Sequence, residues 1–272
     1  MTFSGFMRLA SLLLVTFVAL PDRAQAFEFD LGSIEVLSKG ASPDASPVPS
    51  GLVLGGVFIG ANARFTGTDD LALPIPGAVY FGERFLYLGD RARYYFYRDG
   101  AFAAFGYGRV RFGNLDPDDA PELAGMHQRK TQFEAGLGAN VITPYALLTF
   151  RAAGDITGRS KGGEVLAWSD FPMVFDRWLL MPGVGLLWRS DKLANYYFGG
   201  VSADEAAPGR PQHDTGSTLS PMASLVTTYR FSKEWIGVLM LGLEHFDSGT
   251  ANSPVVDHKN EYTLITGVGY VW

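Results

Sequence analysis

Cysteine is absent from the 272 residues. A disulfide framework, a thiolate nucleophile and any cysteine-ligated zinc or iron–sulfur site are therefore excluded. No internal apolar run approaches the ~20 residues that a membrane-spanning helix needs. Charge is scarce: Asp, Glu, Lys and Arg make up 18% of the chain, where about a quarter is usual for a soluble domain. The net charge is −6, which leaves no basic footprint for nucleic acid. No glycine-rich loop joins a strand to a helix, so nucleotide binding has no support. What the chain does have is glycine, at 33 residues, and aromatic side chains, at 14%. Much glycine, many aromatics, few charges and no spanning helix describe a membrane β-barrel. A secreted soluble β-sandwich is the alternative that composition leaves open.

The N-terminus reads as an address. Arg8 precedes an apolar run from Leu9 to Leu20, Pro21 breaks it, and Ala24-Gln25-Ala26 offers small residues where a signal peptidase reads. Residues 1–26 are expected to be a signal peptide cleaved after Ala26. The run is too short to be retained as a spanning anchor. Residues 27–50 include Gly40-Ala41-Ser42-Pro43-Asp44-Ala45-Ser46-Pro47-Val48-Pro49-Ser50. Small residues and prolines bury too little to offset their ordering entropy, so this stretch reads as a flexible periplasmic segment. The barrel domain is 51–272.

From Gly51 onward a period of two dominates. Tyr262, Leu264, Thr266, Val268, Tyr270 and Trp272 alternate with Thr263, Ile265, Gly267, Gly269 and Val271, which a strand places on opposite faces. The larger set faces lipid. The final aromatic, with Tyr262, Leu264, Val268 and Tyr270 behind it, looks like a barrel assembly signal. Trp178 and Trp188 share one face of another strand, ten residues apart. That spans ~33 Å extended and ~23 Å when tilted, which matches an apolar band between two aromatic girdles. Pro182 lies within this strand and predicts a bulge or kink.

Short turns are expected at Arg98-Asp99-Gly100, Thr143-Pro144, 172–176 and Ser232-Lys233-Glu234. Longer polar loops are expected at 64–76, 113–129, 158–162, 190–217 and 247–258. Barrels of the bacterial outer membrane have short periplasmic turns and long extracellular loops. The pattern predicts a transmembrane, antiparallel, up-and-down barrel of ten strands. It requires a long second strand over 77–97, kinked near Gly89-Asp90; splitting that strand gives the alternative count of twelve.

Each strand then reads as apolar outside and polar inside. Arg109, Arg111, Glu134, Arg151, Asp155 and Arg189 are the expected lumen charges, either pairing to plug the barrel or lining a narrow pore. Chemistry beyond this is thin. Glu244-His245-Phe246-Asp247 is the best acid–base constellation, but alternation puts Glu244 and His245 on opposite faces. Asp116, Asp118, Asp119 and Glu122 match no recognised cation-binding loop. No catalytic set, cofactor site or metal site is expected.

Several segments in order carry a resemblance. They are Asp155-Ile156-Thr157-Gly158-Arg159-Ser160-Lys161-Gly162, Asn195-Tyr196-Tyr197-Phe198-Gly199-Gly200-Val201-Ser202, and Glu205-Ala206 with Gly209-Arg210-Pro211. Phe231-Ser232-Lys233-Glu234-Trp235, Ser253-Pro254-Val255-Val256 and the aromatic end follow. Over 51–272 the chain resembles the MipA/OmpV family of outer-membrane proteins, with Gly200 an extra residue relative to the family pattern. The resemblance implies a non-enzymatic scaffold in the outer-membrane lipid. Its implied partners are peptidoglycan enzymes, a murein lytic transglycosylase and a murein synthase. It transfers no catalytic residues. A periplasmic partner reaches only the 27–50 segment and the short turns, with Lys233 and Glu234 the candidate contacts. A small channel or an adhesin is the alternative; an outer-rim hydrolase is the more distant one.

Overall fold

The computed structural model describes residues 46–272; the expected signal peptide and residues 27–45 lie outside the described residues. Among the described residues thirteen strands form one sheet closed on itself. They are β1 (Gly51–Ala61), β2 (Leu71–Phe81), β3 (Phe85–Tyr87), β4 (Arg91–Asp99), β5 (Phe102–Arg111), β6 (Gln132–Ile142), β7 (Leu147–Asp155), β8 (Gly163–Asp170), β9 (Met173–Phe175), β10 (Trp178–Arg189), β11 (Thr218–Arg230), β12 (Trp235–His245) and β13 (Asn260–Val271). Every pairing is antiparallel, and β13 against β1 closes the circle. β8 and β9 lie end to end along the same edge of β10. The wall therefore has twelve positions, the alternative count rather than ten.

The two extra positions come from the stretch read as one kinked strand over 77–97. Around Gly82–Arg84 the chain reverses into β3, and at Gly89 (φ 87°) it reverses again into β4. That left-handed conformation favours glycine. β3 pairs with β2 only at Tyr80↔Tyr87 and Phe81↔Leu86. Above this two-residue ladder, β2 has no strand partner on that side among the described residues.

The prolines explain why the wall tolerates such gaps. In an antiparallel pair, alternate residues turn their N–H and C=O to opposite neighbours. Trp272 donates to the Leu52 carbonyl at 2.8 Å, and Gly82 to the Phe85 carbonyl at 2.9 Å. By this alternation the even residues of β2 face away from β1, so the rings of Pro74 and Pro76 stand where the open edge would otherwise carry N–H groups. An unmet donor in lipid costs several kcal/mol, and proline removes the donor. Pro182 follows the same rule. β10 runs unbroken through it, so the expected kink is not in that strand. The neighbouring wall breaks instead, between β8 and β9, where Phe171 N–H donates to the Pro182 carbonyl at 2.8 Å.

The outward face is as expected. Trp178, Trp188, Phe133, Leu137, Tyr262 and Val268 are exposed to the bilayer. The interior departs from the polar-inside expectation and is tiered. Toward the periplasm it carries two apolar arcs, beside buried Asp170, Thr228 and Arg230. One arc holds Leu166, Trp168, Leu179, Met181, Met222, Val226 and Met240, and another holds Leu86, Tyr95, Phe105 and Tyr107. Charge is concentrated above these arcs. Val48 packs on the first arc. Ser46 and Val48 are buried inside the barrel, with Arg230 donating to the Ser46 carbonyl at 3.2 Å and Thr228 to the Pro47 carbonyl at 2.9 Å. The end of the 27–50 segment thus enters the lumen.

Candidate functional site

The lumenal charges belong to the extracellular ends of the strands, where alternation turns every second side chain inward. Glu164 on β8 is their centre. It takes Arg109 at 3.3 Å, Arg111 at 2.6 Å and Arg151 at 2.9 Å. Arg111 also reaches Glu134 at 2.6 Å, and Gln132 donates to the same oxygen at 2.7 Å. Arg189, the register partner of Glu164 on the adjacent β10, clasps both oxygens of Glu244 two strands along the wall, at 2.5 and 2.9 Å. Arg64 meets Glu261 at 2.7 Å. Breaking one member of a buried pair costs far more than the pair is worth, because the other charge is stranded. These contacts therefore fix which strands face one another.

Five of the six expected lumen charges are in this layer. Asp155 is not. It sits at the rim, where its carboxylate accepts N–H bonds from Thr157, Gly158 and Lys161 at 2.8, 3.1 and 2.8 Å. The β7–β8 turn uses its carboxylate. Sequence reasoning missed Glu164, Arg64, Glu261, Arg91 and Arg93. Glu164 was legible: Glu164, Leu166, Trp168 and Asp170 alternate inward along β8. Glu244 turns inward, whereas His245 lies on the outer face and bonds Asn260 at 2.7 Å.

Above the charges the long loops fold together over the extracellular mouth. Phe65 comes from the β1–β2 loop, Leu115, Leu123 and Met126 from β5–β6, Leu193, Tyr197, Phe198 and Val201 from β10–β11, and Phe246 and Val255 from β12–β13. All are buried in one apolar cluster. A short helix α1 (Asp191–Tyr197), capped by the Ser190 hydroxyl, aims the Asn-Tyr-Tyr-Phe segment inward. Each residue of that segment has a task. Asn195 accepts from Thr215 N–H at 2.9 Å and donates to Asp214 at 2.8 Å. Tyr196 accepts from Lys130 N–H at 3.0 Å, and Tyr197 donates to the Lys130 carbonyl at 2.5 Å. Phe198 lies under the guanidinium groups of Arg189 and Arg64, at 3.8 and 4.5 Å, a favourable cation–π geometry. Gly199 then turns at φ 109° beside Ser253.

Glu205 fastens the loop. It receives Arg129 at 2.8 and 3.0 Å, and the N–H groups of Ser202 and His127 at 2.9 and 2.8 Å. Burial alone would raise the Glu205 carboxyl; the Arg129 guanidinium and those two N–H donors outweigh it and hold it down at about 2. Arg210 ties the loop to its neighbour, donating to the carbonyls of Glu122 and Ala124 at 2.6 and 2.9 Å. The acidic residues of 113–129 serve the loop as well: Asp116 accepts from Asp118 N–H at 3.0 Å and Gln128 at 2.7 Å.

The periplasmic end is simpler. Lys233 and Glu234 are exposed on the β11–β12 turn, whose shape is held by Arg230, donating to the Lys233 carbonyl, and by Val271 N–H on the Glu234 carbonyl at 2.7 Å. Beside it Trp235, Tyr270 and Trp272 meet edge to face in sequence, with centroids 5.4 and 5.3 Å apart. Trp178 joins Tyr229 at 4.5 Å in the same belt. Tyr262, Leu264, Val268, Tyr270 and Trp272 share the outer face of β13 and the end of the chain that follows it.

Comparison with known proteins gives the family. A family model described as "MltA-interacting protein MipA" matches residues 54–272. The chain is 25% identical over 216 residues to the MltA-interacting protein of Escherichia coli K12, covering 74% of this chain and 82% of that one. It is 26% identical over 157 residues to outer membrane protein OmpV of Vibrio cholerae, covering 57% and 60%. Among solved structures, the COG4313 outer membrane channel of Pseudomonas putida F1 aligns over 89% of this chain and 100% of that one, at 10% identity and a TM-score of 0.41. The chain is an outer-membrane β-barrel and belongs to the MltA-interacting protein (MipA) family.

Proposed function

We propose that this protein is a non-enzymatic scaffold that docks peptidoglycan-remodelling enzymes on the periplasmic face of the outer membrane. A murein lytic transglycosylase is the first partner and a murein synthase the second. The family match carries the reading, since the family is described by its interaction with MltA. The loop cluster over the outer mouth supports it, because a scaffold needs no open passage. The docking contacts are the turns at Arg98-Asp99-Gly100 and Ser232-Lys233-Glu234. They are short, braced by the wall, and offer charge for register more than apolar area. Export depends on the 1–26 signal peptide, cleaved after Ala26, and insertion on the aromatic C-terminus.

Wall position count favours one other reading. An eight-strand barrel is filled by side chains, and twelve positions enclose more space than ten, so a small channel is the rival. The test is capture of a purified murein lytic transglycosylase on the immobilised mature protein. Weak, salt-sensitive retention is expected, reduced by Lys233→Ala with Glu234→Ala and unchanged by deleting 203–214. Retention that depends on 203–214, or none at low salt, would replace the scaffold by the channel.

A further inference from the structure

One level of the inner wall is built from small side chains. Ala61, Leu71, Ser224, Gly242 and Thr263 share it, through the pairs Ala61↔Leu71, Ala61↔Thr263, Gly242↔Thr263 and Ser224↔Gly242. By alternation all five turn inward. The wall is thin there, and a cavity of about 700 Å³ lies against it, a size that suits a small molecule or a lipid chain. One step up, Glu244 and Glu261 are already held by Arg189 and Arg64. One step down stand Val226, Met240, Ile265 and Ile59, so the cavity is apolar at its base.

The cavity reaches Leu71 and Ala72, and there the wall is open. β2 pairs with β3 only at its periplasmic end. Below the opening, the β3–β4 turn closes on β5, with Val110 N–H donating to the Asp90 carbonyl at 2.8 Å. Above it, Gly67 of the β1–β2 loop lies against Ala120 and Glu122 of the β5–β6 loop. What remains is a side window between β2 and the upper end of β5. The inward residues beside it show the difference: Leu71, Leu73 and Ile75 are only half-buried, whereas Leu166, Leu179 and Leu187 are fully buried. Trp188 and Tyr262, exposed near the outer ends of β10 and β13, mark the upper aromatic girdle. Leu73 pairs with Ile59, and Ile59 with Ile265, on the membrane side of Tyr262. The window therefore faces the apolar part of the outer leaflet.

We propose that an acyl chain of an outer-leaflet lipid enters through this window and lies in the cavity against Leu71, Ala61 and Thr263. Lipid is what the window faces, and the apolar base matches a hydrocarbon chain. The open edge argues against a strand as the occupant. Strand addition needs main-chain hydrogen bonds, and Pro74 and Pro76 have removed donors from that edge. A methylene chain asks for none. This site is independent of the scaffold reading, since it opens to the outer leaflet while the docking turns lie at the periplasmic end.

The test is photolabelling. The purified mature protein is reconstituted in phosphatidylcholine vesicles that include a phosphatidylcholine with a diazirine on one acyl chain. A parallel sample receives the same diazirine chain as the free fatty acid. After illumination, adducts are mapped residue by residue by mass spectrometry. The phospholipid should label inward Leu71 and Leu73 as well as outward Tyr262 and Leu264. Thr263→Phe and Ser224→Phe each fill the cavity, and each should cut the inward adducts at least about fivefold while sparing the outward ones. Heat-modifiable gel mobility scores the folding of both variants, and the unmodified protein's map decides alone if neither folds. Adducts confined to outward residues would overturn the proposal. Inward adducts that survive both fillings, or that arise only from the free fatty acid, would overturn it too.

Discussion

The seam at β13 and the flank at β3 are built from the same kind of strand but complete their ladders differently. β13 is bonded along its length on both sides, from Tyr270 to Asn260 against β12 and from Val271 to Thr263 against β1. β2 is bonded along its length to β1, from Leu71 to Phe81, but to β3 at only two residues. At the seam each N–H has an acceptor. At the flank, Pro74 and Pro76 take two of the positions whose N–H groups would turn to the open edge, while Ala72 keeps its own. A barrel in lipid can therefore leave part of its wall unpaired at lower cost when the sequence removes donors there.

Damage at the seam should have the largest effect. Trp272→Asp, or deletion of Tyr270–Trp272, removes the end of β13 together with the Trp272 N–H bond to Leu52. We expect at least about a tenfold loss of outer-membrane protein by fractionation and immunoblot; normal levels would refute the role given to this end. Next comes Arg189→Leu, which strands buried Glu244 on β12. A loss of about 3–5 kcal/mol is expected in urea unfolding, with much of it recovered when Glu244→Leu is added. Failure of the second change to rescue would mean the pair is not what links β10 to β12.

A finer contrast lies within β2. Leu73 directs its N–H to β1, while Ala72 directs its own to the open edge. Leu73→Pro should cost about 1–3 kcal/mol, the penalty for leaving a buried partner unmet, and Ala72→Pro less than about 1 kcal/mol. Equal urea midpoints for the two variants would contradict the open edge. The smallest expected effect is one of pH. The Glu205 carboxyl is held at about 2, below its unfolded value of about 4.3. Its contribution is full above the unfolded value and is lost as pH falls through the folded one. Hydrogen exchange in 200–210 should stay protected at pH 5 and loosen between about pH 4 and 2; loosening already at pH 5 to 6 would assign the latch to another group.

At the seam, alternation is uninterrupted from Tyr262 to Trp272, so strand, face and barrel class were all legible. Trp178 and Trp188 were equally plain, as were Arg109, Arg111, Glu134, Arg151 and Arg189, because each sits in a long strand of period two. At the flank, β3 has three residues, too few for any period to register. The prolines of β2 were the readable sign there. Asp155 was misplaced because alternation gives a side chain's face but not its height, and at the rim the next turn competes for it. The apolar lower tier was hidden for a related reason: inward Leu179 and Met181 look like any core strand, and Val48, which packs with them, belongs to no strand of period two.

On the proposed scaffold reading the lumen is not a passage and the periplasmic turns act as a platform. Planar-bilayer conductance of the purified mature protein is the decisive measurement. No steady current above the bare bilayer is expected at moderate voltage. A stable ohmic conductance scaling with salt would contradict it and make the protein a channel.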